Sequence, residues 1–84
     1  MTNKKIVVYG ASWCGPCQKM KAILVNAQIE HEFKDIDEDP ALREYVKSIQ
    51  NTIPLVQIED PDRDRVVTLG GYDDVTELLK FALL

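Results

Sequence analysis

Long apolar runs, leader-like sequence and soft metal ligands are all scarce in this sequence. No stretch of its 84 residues approaches the roughly 18 apolar residues of a membrane-spanning helix. The amino-terminal MTNKKIVVYG has no long apolar segment followed by small residues at a cleavage position, so no membrane partner and a cytoplasmic location are expected. There are only two cysteines and one histidine. Disulfide frameworks belong to small secreted domains with several bridges, and a bridge between Cys14 and Cys17 would close too short a loop to restrain the unfolded chain much. A closed zinc site needs four ligands, and the one other soft candidate, His31, falls in a different predicted element, so no bound metal is expected. Acid is missing altogether from residues 1–29, which carry Lys4, Lys5, Lys19 and Lys21; all 14 acidic residues lie from Glu30 onward. The bases are few and no aromatic-rich basic stripe accompanies them, which argues against nucleic acid as a partner. With four glycines and four prolines, no linker, repeat or low-complexity segment is present, and a single domain over 1–84 is expected.

What is present is a regular alternation of short apolar segments. KKIVVYG is a run of β-branched residues ending in glycine, as expected of a strand buried on both faces. Met20, Ile23, Leu24 and Ala27 then fall on one face of a helix. EHEFKDID predicts a second strand, edge or parallel, although Phe33 and Ile36 are out of phase. DEDPALREYVKSI predicts a helix capped by Asp39, with Pro40 in its first turn and Leu42, Tyr45, Val46 and Ile49 facing the core. PLVQIE and RVVTL flank the turn-forming DPDRD and predict a hairpin. GGYDDVTELLKFALL predicts a last helix with core face Val75, Leu78, Leu79 and Ala82, capped by Asp74 with Glu77 as its box partner. The order is βαβ, a helix, then ββα. This predicts an α/β fold with a four-stranded mixed sheet and three helices, its first two strands parallel by a right-handed crossover.

Both cysteines lie in ASWCGPCQKM, at the junction of the first strand and first helix. A helix amino terminus presents unpaired N–H groups and partial positive charge, which favours a thiolate. In Cys-X-X-Cys motifs so placed, thiol pKa values fall from about 8.5 to between roughly 3.5 and 7.5. Cys17 shares a helix face with Met20 and Leu24 and is expected to be the more buried thiol. The predicted roles follow: Cys14 attacks a substrate disulfide, and Cys17 resolves the mixed disulfide. Gly15 lets a partner backbone approach and Pro16 stiffens the first turn. Trp13 serves either as an apolar docking surface or as an aromatic cap on the sheet.

WCGPC after a buried strand resembles the active site of thioredoxins, whereas the short length, NTIPLVQI and GGYDD resemble glutaredoxins. The resemblance spans nearly the whole chain and implies a thioredoxin fold of glutaredoxin type, similar to small redoxins of bacteria and phages that serve ribonucleotide reductase. It implies that Pro54 is a cis-proline facing the cysteine pair and that Ile53 offers its backbone to a substrate. It also implies that Gly71, Tyr72 and Asp73 bind the γ-glutamyl end of glutathione. Two positions depart from the parent patterns. Glutaredoxins commonly carry a lysine shortly before the first cysteine, where Ala11 and Ser12 stand here, leaving Lys19 or Gln50 as substitutes. Thioredoxins bury an aspartate where this chain has Val8.

The expected function is reduction of protein disulfides, including that of ribonucleotide reductase, in cell redox homeostasis, by a monomer with no tightly bound cofactor. Glutathione or a flavin-dependent thioredoxin reductase would recharge it. The alternative is a non-catalytic redox-fold binding module, or a dimer sharing a metal or iron–sulfur cluster.

Overall fold

The computed structural model describes residues 4–83, with side chains described as far as Lys80. Strand β1 (Lys5–Gly10) leads into helix α1 (Gly15–Asn26), strand β2 (His31–Asp35) and helix α2 (Pro40–Lys47). Strands β3 (Leu55–Asp60) and β4 (Arg65–Gly70) precede helix α3 (Tyr72–Leu83). The sheet order is β2-β1-β3-β4, with β2 parallel to β1 and the other two contacts antiparallel. The fold is the predicted mixed sheet with three helices.

The apolar run of β1 sits in the middle of the sheet, and its alternation divides the core in two. Val7 and Tyr9 face a cluster with Leu55, Ile36, Val46 and both cysteines, while Val8 faces Met20, Leu24, Val56 and Val75. Phe33 packs against both clusters from β2, whereas Ile36 lies past the end of that strand and is buried there. Leaving the strand between them explains why the two residues are out of phase. The hairpin predicted at DPDRD closes through a 3-10 turn at Pro61–Arg63, with Asp64 in the left-handed region at φ 48°.

Asp39 caps α2 as expected, its Oδ1 accepting from the Ala41 N–H at 2.9 Å, with Pro40 in the first turn. A chain of side-chain hydrogen bonds then ties this helix to the sheet. The Tyr45 hydroxyl donates to Gln57 Oε1 at 3.1 Å, and Gln57 Nε2 donates to Thr68 Oγ1 at 3.1 Å. Gln57 is buried, so both of its polar atoms need these partners.

Several predicted core positions are corrected. Ala27 is the exposed cap residue of α1 rather than part of its apolar face, because the chain turns there into Gln28 at φ 59°. Ile49 lies beyond α2, which ends at Lys47, and is exposed. Leu78 is half exposed; Val75, with Leu79 partly buried beside it, carries the inward face of α3. The side chain of Ala82 lies outside the described residues. Asp74 does not precede α3 but sits inside its first turn, where Oδ2 accepts from the Gly71 N–H at 2.9 Å. It thus plays the part predicted for Glu77, an acid reaching back to an N–H just before the helix.

Candidate active site

Residues 11–14 turn the chain from the central strand into α1. The turn is held by the Cys14 N–H bonding to the Ala11 carbonyl at 3.2 Å, with Gln18 Nε2 donating to the same oxygen. Cys14 is the N-cap of α1, and its Sγ accepts from the Cys17 N–H at 3.3 Å. The sulfur therefore occupies the place of a capping oxygen, pointed at by a backbone donor that the helix would otherwise leave unpaired. Both cysteines are free thiols. Cys14 retains 7% of its surface and Cys17 none, which matches the predicted asymmetry.

Burial pushes the Cys17 thiol up to about 12, and its hydrogen bond with Cys14 adds in the same direction. A backbone contact with Ala11 pulls the other way. Val8, at the position of the thioredoxin aspartate, is fully buried and apolar, so that site offers the thiol no proton acceptor. Gly10 controls the space around this sulfur. A Cβ on Gly10 would stand 2.7 Å from Cys17 Sγ and 2.9 Å from its Cβ, with Phe33 behind at 3.1 Å. Gly10→Ala is therefore expected to destabilise the reduced protein by about 1–3 kcal/mol and to slow attack by Cys17. Urea denaturation and single-turnover kinetics check the two effects.

Facing Cys14 is the Ile53–Pro54 peptide bond, which is cis as the resemblance implies. The Cys14 thiol donates to the Ile53 carbonyl at 3.8 Å. Gln50 braces this loop, its Nε2 donating to the Thr52 carbonyl at 2.6 Å and the Pro54 carbonyl at 3.0 Å. Gly71 comes up to the same loop, with the Pro54 oxygen 3.7 Å from where its Cβ would be. Thus NTIP and GGYDD, 17 residues apart between Pro54 and Gly71, do meet beside the cysteine pair. Tyr72 instead packs on the cluster of Val8, Met20 and Val75, and Asp73 is exposed at the first turn of α3. On the other side, a Cβ placed on Gly15 would meet no other atom within 4 Å, so the backbone beside Cys14 is open there.

Trp13 is no cap on the sheet: it is 68% exposed, with its Nε1 donating to Asp37 Oδ2 at 2.7 Å. It borders a groove of about 220 Å³ whose floor includes Ile36, Val46 and Ile53 and whose rim carries Arg43 and Lys47. Arg43 and Lys47 were not legible as site residues, because only the placement of α2 beside the cysteine turn brings them there. Of the two candidate substitutes for the missing lysine, Gln50 lines the groove with its Nε2 bonded to the Pro54 loop, and Lys19 is not among the residues that line it. Lys21 is directed elsewhere, its Nζ 4.8 Å above the Phe33 ring. His31 Nδ1 donates to the Ile29 carbonyl at 2.9 Å, and no metal-binding group of three His, Cys, Asp or Glu occurs among the described residues.

A Cys-X-X-Cys pair at the start of the helix after a central strand, opposite a cis-proline in a four-stranded mixed sheet, defines a thiol redox protein of thioredoxin fold. The glutaredoxin family model matches residues 6–61, and the chain belongs to the glutaredoxin family. A Mycobacterium tuberculosis protein (strain ATCC 25618 / H37Rv) that carries a glutaredoxin name is 32% identical over 86 residues, covering 98% of this chain and 99% of its own length. The solution structure of glutaredoxin from Brucella melitensis is similar with a TM-score of 0.70 at 25% identity, over 90% of this chain and 78% of that one. The buckwheat glutaredoxin–glutathione complex aligns with a TM-score of 0.75 at 20% identity, over 96% of this chain and 73% of that one. Family and geometry together support a thiol redox function resting on two cysteines. No helix among the described residues is long and apolar enough to cross a membrane.

Proposed function

We propose that this protein is a dithiol reductant of protein disulfides, with Cys14 the attacking and Cys17 the resolving thiol. The observation that carries the reading is the inequality of the two sulfurs. Cys14 is at the surface end of the pair, with a backbone N–H aimed at it, while Cys17 is sealed beneath it. In the first step the Cys14 thiolate attacks one substrate sulfur, the substrate disulfide breaks, and its other sulfur leaves as a thiolate that takes up a proton. In the second, the Cys17 thiolate attacks Cys14 Sγ, forming the intramolecular disulfide and releasing the second substrate thiol. Two electrons pass from the dithiol to the substrate.

The Ile53 backbone, with Pro54 and Gly71 beside it, gives a bound segment an edge to pair against, and Trp13 with Gly15 and Pro16 frames the approach. Glutathione or a flavin-dependent reductase returns the pair to its reduced state. Glutathione would lie in the groove with its glycyl carboxylate towards Lys47, which stands in for the family lysine missing at Ala11 and Ser12, and its γ-glutamyl end at the amides of Gly71 to Asp73. That the similar buckwheat glutaredoxin forms a complex with glutathione supports glutathione as the reductant. Ribonucleotide reductase is a fitting protein substrate for a cytoplasmic, monomeric redoxin of this size.

Two assays separate the electron sources: reduction of insulin with dithiothreitol, and glutathione-coupled reduction of a glutathionylated peptide. We expect activity in the first and weaker activity in the second. Silence in both, from protein with titratable thiols, would overturn the reading and favour a non-catalytic module.

A further inference from the structure

Asp37 is a side chain that the chemistry above does not use, yet it contacts two residues that border the groove. Its Oδ2 accepts from the Trp13 indole at 2.7 Å and its Oδ1 pairs with Arg43 Nη2 at 2.5 Å. Its own backbone is pinned, the Asp37 N–H donating to Asp35 Oδ1 at 2.8 Å. As an exposed ion pair this contributes little to stability. Its bearing is on the groove. Trp13 has so little packing that the Asp37 bond is what fixes its indole, and Arg43 reaches the groove already neutralised. No acid lines the groove itself, and Lys47 is left as its one unpaired cation among the described residues.

We propose that Asp37 is a specificity-determining residue, which ties Trp13 and Arg43 into one neutral wall and so biases Cys14 against small anionic disulfides and towards uncharged segments of protein. The inference rests on the reading of Cys14 as the attacking thiol. An anionic ligand in this groove meets one free cation rather than two, and a unit charge removed several ångströms away in a half-exposed site changes an equilibrium by a few-fold.

The test uses the Cys17→Ser chain, in which Cys14 exchanges with a disulfide to give a mixed disulfide and one free thiol, and the product cannot resolve. Equilibrium constants are measured by mass spectrometry with oxidised glutathione and with the uncharged bis(2-hydroxyethyl) disulfide. Adding Asp37→Asn, which keeps an oxygen for Trp13 but removes the charge, is expected to raise the glutathione constant about threefold and leave the uncharged one in place. Adding Arg43→Gln to that chain should cancel the gain. Asp37→Ala should, in addition, lower the fluorescence anisotropy of Trp13, the sole tryptophan. Unchanged constants, or a parallel change with both reagents, would overturn the proposal. If the parent chain forms a mixed disulfide with neither reagent, the Cys14 assignment itself fails and takes the proposal with it.

Discussion

Cys14→Ser is expected to reduce insulin no faster than dithiothreitol alone, a loss of at least about three orders of magnitude, because a hydroxyl cannot replace the thiolate as nucleophile towards sulfur. Cys17→Ser is expected to behave differently. Its first step survives, since the Cys14 sulfur keeps its place at the start of α1 and the N–H at position 17 remains to point at it. Substrate then accumulates as a mixed disulfide on Cys14, visible by mass spectrometry, and multiple turnover on protein disulfides falls sharply. The opposite pattern, with Cys14→Ser active and Cys17→Ser unable to form any mixed disulfide, would reverse the two roles.

Release of product from that mixed disulfide should depend steeply on pH. Burial, the largest cause, pushes the Cys17 thiol up to about 12 in the reduced pair, with the hydrogen bond to Cys14 adding to it. A raised thiol pKa keeps the neutral form, so around neutral pH only a small fraction of molecules carries the attacking thiolate, and that fraction grows roughly tenfold for each pH unit. Resolution is therefore expected to accelerate about 100-fold between pH 7 and pH 9. Single-turnover release of a chromogenic thiol from Cys14 measures it, and a flat profile over that range would show that some other group takes the Cys17 proton.

The parts of this fold that were legible in the sequence are those set by neighbours along the chain. KIVVYG declared a buried strand, Asp39 with Pro40 declared a helix start, and the order of elements constrained the sheet. The cysteine pair was legible for the same reason: its environment is created by the strand before it and the helix after it. What escaped depends on contacts between distant segments. Gly10 looked like a strand terminator, and only the seating of α1 on the sheet makes it the gap that Cys17 fills. Leu78 kept perfect helical spacing, yet α3 turns Val75 inward and leaves Leu78 half exposed. Arg43, Lys47 and Asp37 carry no local signal, since exposed charges on or near an amphipathic helix are ordinary. They become a site only because α2 lies next to the turn at Trp13. The hydrogen-bond chain through buried Gln57 that fixes α2 was equally hidden, for Gln57 sits in a strand whose other buried residues are mostly apolar.

The division of the groove along the chain has a consequence for how such proteins diversify. The reacting sulfurs come from one uninterrupted piece, β1 with the start of α1, whereas the groove beside them, apart from Trp13, is drawn from residues 36–53. The reacting sulfurs and most of the groove thus lie on two separate segments, joined through Trp13 and Asp37. Substitution within the second is expected to shift the preference among substrates with the reacting pair left untouched.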